Sequence, residues 1–222
     1  MNELAGELAH EGLTQADWQT RYCTQNTPWD LNQPARAFEA LATQGWFSGR
    51  LNLPDSVQVL VPGCGRGHDA ACFARAGHQV TGLDFSAEAI AQAQQQYGSH
   101  ARFVVADAFD ETALPPASFD AVIEHTFFCA IEPTHHAAYL QAVLRWLKPG
   151  GRLYGIFWLH GKPGGPPFST TLEALQTLFT AAFKIIWLAP NPYAGNGTHG
   201  QDRSAKEWLM VLEKVFDSPL ER

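Results

Sequence analysis

The chain is poor in charge and in cysteine. Only 17% of its 222 residues are charged, and 22 acids against 15 bases leave a net charge of −7. A protein that grips duplex nucleic acid or an anionic membrane needs a basic patch, and no basic run of that length occurs. No apolar stretch reaches the roughly 18 residues of a spanning helix. Met1–Glu11 holds three Glu and no Lys or Arg, so it lacks both the basic and the apolar region of a secretory signal. The four cysteines, Cys23, Cys64, Cys72 and Cys129, include no CxxC pair; they read as reduced cytoplasmic thiols rather than disulfides or metal ligands. These absences set the expectation of a cytoplasmic protein with no nucleic-acid, membrane or metal partner.

What is present is a globular composition, 45% hydrophobic and 12% aromatic, with 19 Gly and 14 Pro. Without repeats or long linkers, it fits one domain over 1–222. Thr14 and Asp17 form a capping box for a helix through Cys23, and Pro34 suits the first turn of a helix over Ala35–Thr43 closed by Gly45. The period then changes. Short apolar runs at Val57–Val61, Gln79–Leu83, Arg102–Val105, Phe119–Glu124, Arg152–Leu159, Lys184–Leu188 and Glu207–Leu212 read as strands. Helices are expected between them at Asp69–Ala76, from Ser86 through Tyr97, at Pro133–Leu147, and from a Thr170–Glu173 capping box through Ala181. Pro149-Gly150-Gly151 reads as a turn and Gly161–Pro167 as a surface loop. The alternation predicts an α/β fold, a doubly wound sheet with helices on both faces, preceded by N-terminal helices.

The sharpest local signal is Val59–Gly67, VLVPGCGRG, a strand running into a turn with glycines at 63, 65 and 67. Such a turn lets a ligand approach the backbone and the start of the next helix. It is not the dinucleotide fingerprint, because His68 stands where that motif wants Gly or Ala. Asp84, 21 residues after Gly63 at the end of the second strand, can accept hydrogen bonds from a ribose diol or cap the turn before Phe85-Ser86. Asp107, just past the third strand, can read an adenine edge with nearby amides or serve as a loop aspartate. Glu124-His125 ends the fourth strand at the same carboxyl edge of the sheet, where open α/β sheets bind ligands.

Four segments carry a resemblance. They are Trp18, Tyr22 and Pro28-Trp29-Asp30; the run Val61–Asp69; His125–Pro133; and Gly164–Phe168. Together the chain resembles class I S-adenosylmethionine-dependent methyltransferases, within them the thiopurine methyltransferase superfamily, and most of all its halide and thiol methyltransferase branch, over about residues 14–215. That resemblance implies seven strands with the last antiparallel. It implies that S-adenosyl-L-methionine passes Gly63, Cys64 and Gly65 with its methionine end. Asp84 would hold the ribose, and Phe85, Asp107, Ala108 and Phe109 the adenine. His125 would lie near the methyl group, and Trp18, Tyr22 and Trp29 would fold over the cofactor. Aromatic faces attract a sulfonium and keep water from it.

The acceptor side falls to Phe127, Phe128, Trp158 and Phe168, apolar and aromatic, which suits a soft, weakly hydrated nucleophile such as a thiol, hydrosulfide, thiocyanate or halide. Transfer is an in-line displacement that needs alignment and a dry pocket. His125 is the candidate catalytic base for a thiol. The chain departs from the plant halide-type enzymes, which carry Tyr at the places of His125 and Phe168 and Trp at that of Tyr22. Arg203 reads as a solvated surface arginine, although related enzymes carry an arginine there. His135-His136 reads as surface, and Cys64 and Cys129 as tight-packing residues rather than nucleophiles. Two other readings stay open: an O- or N-methyltransferase of a small metabolite, and a non-catalytic cofactor-binding module.

Overall fold

The computed structural model describes residues 13–46, 51, 53–195, 203 and 205–215. Its elements are α1 (Gln15–Cys23), α2 (Arg36–Gln44), β1 (Gln58–Pro62), α3 (His68–Arg75), β2 (Gln79–Asp84), α4 (Ala87–Tyr97), β3 (Arg102–Val105), β4 (Phe119–His125), α5 (His136–Trp146), β5 (Leu147–Trp158), α6 (Leu172–Thr180), β6 (Phe183–Pro190) and β7 (Glu207–Lys214). The seven strands form one sheet in the order β3-β2-β1-β4-β5-β7-β6. The first five are parallel; β7 runs antiparallel to both β5 and β6.

Period-two alternation sorts the side chains between two cores. Leu60 and Val122 go to one face, under α5 and α6 with Tyr139, Trp146 and Phe179. Val59, Val61, Ala121 and Ile123 go to the other, under α2 and α3 with Phe38, Trp46 and Phe73. The strand order reverses between β1 and β4. The loops leaving their carboxyl ends therefore diverge to opposite faces and open a crevice at the switch point.

Several boundaries differ from the sequence expectation. Thr14 and Asp17 do close a capping box on α1, but Pro34 precedes α2, whose N-cap is Ala35. Pro133–His135 is a separate 3-10 turn before α5. The cap of α6 is Thr171, whose hydroxyl accepts the Ala174 N–H; the Thr170–Glu173 box does not form. β5 starts at Leu147, because Leu147 pairs with Phe119 and a bulge then takes up Lys148–Gly151 before Arg152 pairs with Ala121.

Candidate active site

β1 turns into α3 through Gly63-Cys64-Gly65-Arg66-Gly67, whose glycines have φ of +58°, +51° and +81°. L side chains rarely adopt such values. Space is closed there as well: a Cβ on Gly65 would stand 2.7 Å from the Tyr22 hydroxyl, and one on Gly63 2.5 Å from the Phe127 ring. The loop is thus packed by the N-terminal cover on one side and by the turn after β4 on the other. Asp84 is buried beneath it. Its carboxylate accepts the Gly65 N–H at 3.0 Å and the Ser86 N–H at 2.9 Å. Burial nonetheless pushes this carboxyl up to about 6.

These groups open on a cavity of about 640 Å³, within the range of small-molecule and cofactor sites. The structure brings every residue expected on the cofactor side to its wall: Trp18, Tyr22 and Trp29 from the cover, Gly63, Cys64 and Gly65 from the loop, Asp84 and Phe85 after β2, Asp107, Ala108 and Phe109 after β3, and His125 after β4. Trp18 and Trp29 meet edge to face at 4.9 Å, and Tyr22 meets Trp29 at 5.9 Å. Asp107 uses one oxygen to cap its own turn, accepting the Phe109 N–H at 2.9 Å.

Polar contacts fasten the cover to the sheet. Arg66 Nη1 lies 3.0 Å from Asp30 Oδ2 and donates to Asn32 Oδ1 at 3.3 Å. His68 Nε2 approaches Asp30 Oδ1 at 3.3 Å without hydrogen-bond alignment. Burial opposes ionisation of Asp30, but His68, the Asn32 amide and Arg66 outweigh it and hold the carboxyl below its ordinary value. Gln15 Nε2 donates to the Phe85 carbonyl at 2.7 Å, and Gln19 Oε1 accepts from Ser86 Oγ at 2.8 Å.

On the acceptor side, β4 ends in a strained turn: Thr126, a β-branched residue, has φ of +62°. Buried Glu124 holds that turn. Its Oε1 accepts the N–H groups of Phe127 (3.0 Å) and Phe128 (2.8 Å), and its Oε2 accepts from Tyr139 Oη at 2.7 Å. Burial still pushes Glu124 up to about 7. Next to it, His125 Nδ1 stands 2.8 Å from Asp69 Oδ2. Burial works against the charged imidazole, but Asp69, with Glu207 and Glu124 beyond, raises its pKa above the ordinary histidine value.

The four acceptor-side aromatics separate. Phe127 and Trp158 line the large cavity. Phe128 and Phe168 do not: both are buried, and Phe128 stacks on His136 at 3.9 Å within the α5 core. They line instead a neighbouring pocket of about 10 Å³, room for about one water. It shares His125, Thr126, Cys129, Trp158 and Arg203 with the large cavity.

Arg203 is not the surface arginine expected from sequence. It is 8% exposed, sits over the Trp158 ring at 4.4 Å and pairs with Glu207 at 3.2 Å. Asn191 Nδ2 holds the other Glu207 oxygen at 3.0 Å. Arg203 Nε and Trp158 Nε1 are buried without a hydrogen-bond partner among the described residues. Of residues 191–203, residues 196–202 lie outside the described residues. His135 is exposed beside Phe109 on the cavity rim, whereas His136 is half-buried, against the surface expectation. Burial pushes the Cys64 thiol well up and Cys129 up to about 12, so neither is a ready nucleophile. Sequence reasoning passed over Asp69, Asp30 and Glu207, although the first two stand inside the segments that carry the resemblance. Among the described residues, no group of three or more His, Cys, Asp or Glu could hold a metal, and no helix is long and apolar enough to cross a membrane.

Comparison with known proteins agrees with this geometry. A family model described as thiopurine S-methyltransferase matches residues 13–208. The chain is 31% identical over 217 residues to thiocyanate methyltransferase 1 of Arabidopsis thaliana, covering 94% of this chain and 91% of that one. It is 31% identical over 193 residues to probable thiol methyltransferase 2 of the same plant, covering 84% and 81%. Its fold is similar to that of the Burkholderia thailandensis 1,6-didemethyltoxoflavin-N1-methyltransferase solved with S-adenosylhomocysteine, with a TM-score of 0.69, 22% identity, and coverage of 91% of this chain and 87% of that one.

Proposed function

Since the chain belongs to the thiopurine S-methyltransferase family and is an S-adenosylmethionine-dependent methyltransferase, we propose that it methylates a small, soft, anionic nucleophile, a thiolate, hydrosulfide, thiocyanate or halide, delivered as a free small molecule to a cytoplasmic monomer. The observation that carries the reading is the shared wall of the two cavities, which puts His125, Trp158 and Arg203 between the cofactor-type residues and a small aromatic pocket.

The residues present fit the cofactor. Asp84 offers a buried carboxylate for a diol, the glycine loop offers backbone without side chains, and Trp18, Tyr22 and Trp29 offer aromatic faces to a cation. Bound S-adenosylmethionine supplies an electrophilic methyl group on a sulfonium. The cover excludes water, which would otherwise solvate the nucleophile and weaken its attraction to the site. Among the described residues Arg203 Nε has no partner, which leaves its N–H for an anion, and the Trp158 ring below holds the guanidinium. At neutral pH a free alkyl thiol is only a few per cent ionised. The neutral His125 ring takes that proton through Nε2, the nitrogen Asp69 leaves open.

The test is S-adenosylhomocysteine formation with hydrosulfide, thiocyanate, iodide, an aromatic thiol, a thiopurine and a catechol as acceptors. Turnover is expected with the sulfur and halide members; turnover with the catechol alone would overturn the reading. His125→Ala should cost a thiol acceptor about 100-fold, and thiocyanate, already an anion, far less. Equal losses for both would remove His125 as base.

A further inference from the structure

We propose that Asp69 is a positioning residue that fixes the tautomer of His125 and ties that ring to the start of α2. The proposal deepens the reading of His125 given above and rests on it for its kinetic consequence, but its structural part stands on separate contacts. Asp69 is the second residue of α3. Both its oxygens are engaged: Oδ1 accepts the Ala35 N–H at 2.8 Å, and Oδ2 lies 2.8 Å from His125 Nδ1. A carboxylate has no proton to give, so Nδ1 carries the hydrogen, and the lone pair of the neutral imidazole is on Nε2. Ala35 is the N-cap of α2, and the same helix sets Phe38 edge-on against the His125 ring, centroids 5.8 Å apart. One element therefore supplies both the N–H that orients the carboxylate and the wall that orients the ring.

The charges around His125 support the assignment. Asp69 reaches it from α3, Glu124 from its own strand and Glu207 from β7, with Arg203 paired to Glu207; α2 contributes only the Phe38 ring. Of these, Asp69 alone touches the imidazole. Glu124 is taken up by Phe127, Phe128 and Tyr139, and Glu207 by Arg203 and Asn191. Among the described residues, neither Glu124 nor Glu207, the other two carboxylates that act on the ring, is free to replace Asp69.

Two variants test this. Asp69→Asn keeps the shape; its amide oxygen can still accept from Ala35, which turns the NH2 toward Nδ1 and forces the proton onto Nε2. Ala35→Pro removes the N–H at a residue whose φ of −64° already suits proline. The readout is NMR titration of the histidine rings in the full chain with S-adenosylhomocysteine bound, His125 being identified by its loss in His125→Asn. The expected wild-type tautomer is Nδ1–H. In Asp69→Asn the His125 pKa should fall by at least about one unit with reversal of the tautomer, and Ala35→Pro should shift it the same way by less. The acid limb of kcat/KM for a thiol should move down with it. An unchanged tautomer and pKa in both variants, or a loss of equal size at every pH, would overturn the proposal. If Asp69→Asn does not fold, Ala35→Pro carries the test. A wild type that methylates no thiol would sink the reading of the site, and the titration would still decide whether Asp69 sets His125.

Discussion

Asp84 accepts two backbone N–H groups, and the ribose would add hydroxyl donors to the same buried carboxylate. Because burial lifts its pKa to about 6, the group takes up a proton just below neutral pH. Hydroxyl donors favour the carboxylate, so cofactor affinity should be flat above pH 7 and fall as the pH drops through 6, approaching tenfold per unit. Asp84→Asn should weaken S-adenosylhomocysteine by about 10–100-fold at pH 8 and erase the pH dependence between 5 and 7. Calorimetric titration across that range checks both; a variant that keeps the wild-type slope would put the titration elsewhere. Asp84 and His125 were legible in the sequence because each closes a strand, and strand ends at a switch point converge whatever the loops between them do. Arg203 was not. Its burial depends on Trp158 and Glu207, a ring and a carboxylate brought together only when β5 and β7 pair, and charge on a polar segment gives no local sign of that.

Elements with local determinants were readable; those decided by pairing were not. The α1 cap is a matter of four neighbouring residues, so Thr14 and Asp17 announced it. Thr170 and Thr171 are both competent caps, and the choice falls to Thr171 because the helix must turn Leu175 and Phe179 into the core. Leu147 reads as the end of a helix and Pro149–Gly151 as a turn, yet both join β5 because Phe119 offers Leu147 a partner across the sheet. Polar contacts fasten the cover to the sheet. Asp30 is its anchor, with a side chain only 7% exposed beside Arg66. Asp30→Asn removes the charge and leaves Arg66 and His68 without it. Breaking such a partly buried pair costs about 1–3 kcal/mol, taken from the cover rather than from the sheet. Hydrogen exchange should rise over residues 14–34 and stay at wild-type levels in β1, β4 and β5, with cofactor affinity down about tenfold. Exchange rising equally in the strands would mean the cover is not a separate unit of stability.

At the scale of the whole molecule, the cavity wall is assembled from parts with little else in common. The glycine loop and the turns after β2, β3 and β4 belong to the sheet; Trp18, Tyr22 and Trp29 belong to the cover. A ligand filling about 640 Å³ between them joins the two, and anything bound by the native state alone stabilises it by RT ln(1 + [L]/Kd). At one hundred times Kd that is roughly 2.7 kcal/mol, or a rise in Tm of roughly 5–11 °C for a domain of this size. S-adenosylhomocysteine should produce it in the wild type. The shift should shrink in Asp30→Asn at the same ligand concentration, because the weaker complex sits lower on the binding curve. It should return when the ligand is raised tenfold. That recovery separates a cover that binds through the ligand from one that merely supports the fold: a structural defect would lower the unliganded Tm and leave the ligand increment unchanged. Thermal unfolding of both proteins against a ligand series makes the distinction in one experiment.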